Sequence, residues 1–318
     1  MSPAPVGVVH PTAELTSKAG RRDHRSTQAP AVIIHPTAGL TSKGVASRLV
    51  THLVERQSLA IPALADAEGT GGRIGRTPGA PLHLSVTGGG LGTSLWPDLV
   101  AHPAAAAVDW RCVHIWFSDE RFVAADDAAR NDRPVLEAAD ALGLSRGHVH
   151  SVPGPDSVPD VRAAAVAYAN ELAWWAGPAR PLGVSSAARP TGAAERSAPS
   201  GRSQRTGPRA PLFAVSVLGI GADGHVASLF PGRIATTTTA LTLAVTDSPK
   251  EPPQRVSFGR GLLNHCDELW LIAAGPDKAD AVGRALRDDA PLRTPAARLR
   301  GRRRTLWLVD AALAAALS

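Results

Sequence analysis

The chain has 318 residues, a hydrophobic fraction of 44% and a formal net charge of +6, so it can bury a core and is not globally disordered. Two cysteines, Cys112 and Cys266, exclude a disulfide scaffold and cannot alone complete a four-ligand zinc site. No apolar run reaches the roughly 18 residues of a membrane-spanning helix and no secretory apolar core opens the chain, so a cytoplasmic location is expected.

The first feature along the chain is a repeat. HPTAELTSK at residues 10–18 recurs as HPTAGLTSK at residues 35–43. The second copy follows AVII and precedes the amphipathic VASRLVTHLV, a strand-then-helix signal. The first copy leads only into the polar RRDHRSTQAP, so residues 1–30 read as a poorly ordered extension and one domain runs from residue 31 to 318. Strands are expected at Ala31–Ile34, Leu82–Thr87, Val113–Phe117, Leu212–Gly219, Leu241–Val245, Glu268–Ala273 and Thr305–Val309. Helices are expected at Leu40–Arg56, Thr93–His102, Arg133–Leu142, Val158–Trp175, Gly259–Cys266, Lys278–Arg287 and Asp310–Leu317. Strands as uniformly apolar as FAVSVLGIG and LWLIAAG are covered on both faces, which points to an α/β protein with a parallel sheet.

Most of the net charge sits in one place. Residues 178–210 hold six arginines against the single Glu195 and almost no large apolar side chains, so they read as a disordered surface insertion. The segment has no aromatic residue to stack on bases, which disfavours a nucleic-acid partner. Elsewhere lysine is scarce, occurring only at 18, 43, 250 and 278.

In parallel α/β sheets ligands bind beyond the carboxyl ends of the strands. Thr87-Gly88-Gly89-Gly90-Leu91-Gly92-Thr93 follows the second expected strand, and its glycines and following helix start suit a phosphate. Ser118-Asp119-Glu120-Arg121, with Asn131 further on, follows VHIWF; a carboxylate beside a guanidinium can hold a water or a sugar hydroxyl. Gly219-Ile220-Gly221-Ala222-Asp223-Gly224-His225 places an imidazole at a strand end, suited to proton transfer near neutral pH. If the following ASLF begins a helix, its dipole would favour neutral His225. Ser228 lies in no G-x-S-x-G elbow, so a serine nucleophile is disfavoured. Arg255 and Lys278 are single cations at two further strand–helix passages.

TGGG, SDERFV, RND, GIGADGHVASLFPG, the Arg-x-Ser at 255–257 and GPDK at 275–278, in this order, resemble the 6-phosphogluconolactonase family. The resemblance covers residues 31–177 and 211–318. It implies a Rossmann-like open, mostly parallel sheet with helices on both faces, and hydrolysis of 6-phospho-D-glucono-1,5-lactone with no cofactor and no metal. His225 would activate water, Asp119 and Arg121 would flank the lactone, and Gly88, Gly89, Gly90, Thr93, Arg255 and Lys278 would surround the phosphate. Gly90 stands where many relatives carry Ser or Thr, so Thr93 or backbone would supply one phosphate contact. The expected partner is a small sugar phosphate lactone, with no nucleic acid and no membrane, in a monomer or weak homo-oligomer. The alternatives are a glucosamine-6-phosphate deaminase or sugar-phosphate isomerase, and a non-catalytic sugar-phosphate binder.

Overall fold

The computed structural model describes residues 7–9, 29–60, 80–176, 210–233, 240–287 and 293–317. The Arg-rich insertion expected at 178–210 lies outside the described residues apart from Ala210, and so does most of the N-terminal extension. Within that extension, however, Gly7–Val9 form β1, paired antiparallel with β2 (Ala31–His35).

The main sheet has the order β1-β2-β11-β10-β7-β3-β4-β6. Here β3 is Leu82–Val86, β4 Val113–Phe117, β6 Val149–His150, β7 Phe213–Gly219, β10 Cys266–Ala273 and β11 Arg304–Asp310. Beyond β1 every neighbour pair is parallel. Successive strand residues alternate between two cores, as side chains of a pleated strand must. Trp270, Ile272, Leu306 and Leu308 pack with Leu49 and Leu53 of α1 (Ala38–Ala60), Leu95 and Leu99 of α2 (Gly89–Val100) and Val135 of α3 (Arg133–Leu142). Leu269, Leu271, Trp307 and Val309 pack with Tyr168 and Leu172 of α4 (Val161–Trp175), Val282 of α6 (Ala279–Leu286) and Leu313 of α7 (Ala311–Ala315). This is the expected open, mostly parallel sheet with helices on both faces.

From β3 the chain winds outward through β4 to β6, whereas from β7 it winds the other way through β10 to β11. The winding therefore reverses between β3 and β7, and at such a switch point the strand ends splay to leave a crevice.

Four expectations are corrected. The glycine turn is already helical, since α2 begins at Gly89 rather than Thr93. The expected helix Gly259–Cys266 is a single turn, α5 (Arg260–Leu263), because Cys266 opens β10. ASLF starts no helix: Ala227 takes φ 49°, and Val226 and Leu229 close a tight turn before Pro231. Finally, β5 (Asp119–Arg121), β9 (Arg255–Phe258) and β8 (Thr242–Val245) form a separate antiparallel three-stranded sheet. Its pairing sets Arg121 opposite Arg255, which carries two expected site residues to one edge of the crevice.

Candidate active site

A cleft of about 400 Å³ opens at the switch point. It brings together His225, Asp119, Arg121, Gly88, Gly89, Gly90, Arg255 and Lys278, drawn from five separate stretches of chain. Thr93 is the exception: it is exposed and does not line the cleft. Because α2 starts at Gly89, Thr93 falls in its second turn, past the free N–H groups of the helix start.

His225 is fixed by its own loop. Its Nδ1 lies 2.5 Å from Asp223 Oδ1, and its backbone N–H donates to the same oxygen at 3.2 Å. An ionised carboxylate only accepts, so Nδ1 carries the proton and Nε2 keeps a lone pair. The ring packs near Phe230, with centroids 4.9 Å apart. Burial lowers the His225 pKa from its ordinary value, with Lys250 adding to the fall; Asp223 and Asp119 oppose it. Neutral imidazole is thus favoured by desolvation, not by the helix dipole expected from ASLF. Burial pushes the Asp223 carboxyl up, yet the His225 hydrogen bond, the His225 charge and Lys250 hold it below its ordinary value.

Asp119 is buried and accepts from Ser228 Oγ at 2.7 Å; Arg255 Nη1 stands 4.0 Å away. Ser228 thus buttresses a carboxylate. Asn131 wedges between β5 and the glycine turn. Its Nδ2 donates to the Asp119 carbonyl at 2.8 Å, and its Oδ1 accepts from Arg121 Nη1. A Cβ on Gly88 would overlap that amide, so glycine is required for the close approach.

The cations divide by engagement. Arg255 is buried and donates to the carbonyls of Pro252, Lys250 and Glu251 at 3.0–3.1 Å, so most of its fork holds the 250–252 loop. Burial lowers its pKa, opposed by Asp119. Lys278 and Lys250 both line the cleft. Among the described residues no cluster of three or more His, Cys, Asp or Glu has metal-binding geometry, and no helix is long and apolar enough to cross a membrane.

Sequence reasoning set Asn131 beside the Asp119–Arg121 group without giving it a role, and missed the roles of Asp223, Gly221 and Lys250. Two signals were available: a carboxylate two residues before the histidine, and a lysine kept in a chain that uses arginine almost everywhere.

The fold and cleft define an open α/β protein with a His–Asp pair and a cleft lined by Arg121, Lys250, Arg255 and Lys278 at its switch point. A family model described as glucosamine-6-phosphate isomerases/6-phosphogluconolactonase matches residues 72–307. A 6-phosphogluconolactonase of Streptomyces coelicolor is 38% identical over 236 residues, spanning 73% of this chain and 80% of that protein. That of Mycobacterium tuberculosis is 36% identical over 238 residues, spanning 74% and 84%. The structure of 6-phosphogluconolactonase from Trypanosoma brucei matches in fold, with TM-score 0.65 at 21% identity over 92% of this chain and 100% of that one. The chain belongs to the glucosamine-6-phosphate isomerase/6-phosphogluconolactonase family.

Proposed function

We propose that this chain is a 6-phosphogluconolactonase, hydrolysing 6-phospho-D-glucono-1,5-lactone to 6-phosphogluconate with His225 as general base. The observation that carries the reading is the His225–Asp223 pair at the cleft wall, which leaves Nε2 as the basic ring nitrogen. Nε2 takes a proton from a water as its oxygen attacks C1, giving a tetrahedral oxyanion beside Arg121. The imidazolium then returns the proton to the ring oxygen as the C1–O bond breaks, leaving the open-chain acid. Asp223 and the Asp119 charge favour the transient imidazolium. Base catalysis of this kind supplies about 10²–10⁴-fold, sufficient with positioning for a strained ester.

The phosphate is held by Lys278, Lys250 and the free N–H groups at the start of α2. Arg255 adds its charge through Nη1 and fixes the loop that carries Lys250. The same reading sets the enzyme in the cytoplasm, a reducing compartment that suits its two buried cysteines, Cys112 and Cys266, which form no disulfide. The test is acid release from freshly made lactone in a pH-stat, corrected for spontaneous opening. Ammonia release from glucosamine 6-phosphate without lactone turnover would transfer the cleft to the deaminase chemistry.

A further inference from the structure

We infer that Glu120, which does not line the cleft, is a positioning residue that sets Arg121 and Asn131 for the reaction. Along β5 side chains alternate, so with Asp119 and Arg121 at the cleft, Glu120 projects to the opposite side. It is fully buried there. Burying a carboxylate is costly unless donors surround it, and the donors found are specific. Oε1 accepts the N–H of Arg121 at 2.8 Å and of Asn131 at 2.8 Å. Oε2 accepts the N–H of Asn131 at 2.9 Å and of Asp132 at 3.0 Å. One carboxylate thus closes the loop between residues 121 and 131.

The position also suits its charge. Asp132 is the N-cap of α3, so Glu120 lies at the positive end of a ten-residue helix. Besides the direct bond to the Arg121 N–H, the consequence reaches the cleft side chains through Asn131. With its backbone held by Glu120, the Asn131 amide meets the Asp119 carbonyl, the Arg121 guanidinium and Gly88. An ion pair or hydrophobic contact at position 120 could fill the space, but neither would accept three N–H groups.

Burial raises the Glu120 pKa to about 7. Arg130, 3.9 Å away, opposes the rise together with the N–H donors, while Asp132 adds to it. Arg255 and the neutral Tyr168 also feel the Glu120 charge. The carboxylate is therefore present above about 7 and is lost as the pH falls. That step is separate from the His225 ionisation, which burial moves below its ordinary value.

The inference rests on the lactonase reading of the cleft, and the experiment separates the two. Glu120→Gln keeps the volume but replaces an acceptor oxygen with an NH2 donor. Lactone hydrolysis by the full chain is followed across roughly pH 5–9, with circular dichroism as the check on folding. The expected result is a folded variant whose kcat/KM falls about 10–100-fold, the cost of misplacing a catalytic group by about 1 Å. The upper of two acid-side ionisations disappears from its profile. Asn131→Ala loses a similar factor, and the double variant loses no more than Asn131→Ala alone, as expected for residues acting as one unit. Wild-type kcat/KM in Glu120→Gln, or losses that multiply in the double variant, would overturn the inference. If Glu120→Gln fails to fold, Asn131→Ala decides: persistence of the upper ionisation in its profile overturns the inference, and its loss supports it. Full turnover by His225→Ala would instead overturn the lactonase mechanism itself.

Discussion

Gly221→Ala tests the His–Asp pair without substituting either partner. Gly221 has no positive φ, so alanine fits the backbone. A Cβ there would lie 2.5 Å from Asp223 Oδ1, and nearer still to Cε1 and Nδ1 of His225. Ordinary contact between heavy atoms is about 3.5 Å, so carboxylate and imidazole must retreat by about 1 Å. Asp223 and the His225 ring can move into the cleft because neither is locked in the core. A displacement of about 1 Å costs on the order of 10²-fold in rate, roughly 2.7 kcal/mol of barrier. Stability is expected to hold, because alanine lowers unfolded-chain entropy by about 0.4–1 kcal/mol in its favour. The assay is steady-state lactone hydrolysis beside a thermal melt. The expected variant has wild-type Tm, KM within a few-fold and kcat down about 100-fold. A kcat within twofold of wild type would refute the claim that this pair drives the chemistry.

Other predictions concern charge. Lys250→Met removes a cation that lowers the His225 pKa, so the acid limb of kcat/KM should move to higher pH; an unmoved limb refutes the coupling. Lys278→Ala should raise KM about 10–100-fold, the worth of a charge-assisted contact, while Thr93→Ala leaves KM unchanged. A Thr93→Ala effect as large as that of Lys278→Ala would mean that α2 binds phosphate by its second turn. At the opposite ends of β3 and β4, buried His83 and His114 pack against each other with ring centroids 4.8 Å apart, and Trp116 Nε1 donates to His83 Nδ1 at 3.0 Å. Burial lowers both pKa values, that of His83 to about 3. The unfolded chain then binds protons below about 6.5 that the fold refuses, and stability falls by up to about 1.4 kcal/mol per pH unit per histidine. Urea midpoints should drop between pH values above and below 6.5, and His83→Asn, which still accepts from Trp116, should flatten that slope; a flat wild-type profile would refute the assignment.

The main sheet was legible because its strands are continuously apolar, and β7, β10 and β11 sit within two residues of their expected places. Of the second sheet only β8 was legible, as the strand expected at Leu241–Val245. β5 is the wholly charged Asp119-Glu120-Arg121, with no hydrophobic period, and the polar–apolar alternation of β9 lasts only the four residues Arg255–Phe258. ASLF looked helical because its apolar residues are contiguous, whereas Leu229 and Phe230 are buried by a turn. The start of α2 was placed late because three glycines are poor helix formers; packing of Leu95, Trp96 and Leu99 overrides that cost. At the site, motif residues such as His225 and Asp119 were visible as charge at strand ends. Asn131 was visible beside Asp119 and Arg121 but its bonds to them were not, and Lys250 reaches the cleft only through tertiary packing.

The most direct test of the account is the turnover of lactone by His225→Ala, measured against the spontaneous rate. The account predicts kcat lower by about 10²–10⁴-fold, KM within a few-fold, and no further loss when Asp223→Asn is added. Wild-type turnover by the alanine variant would contradict it.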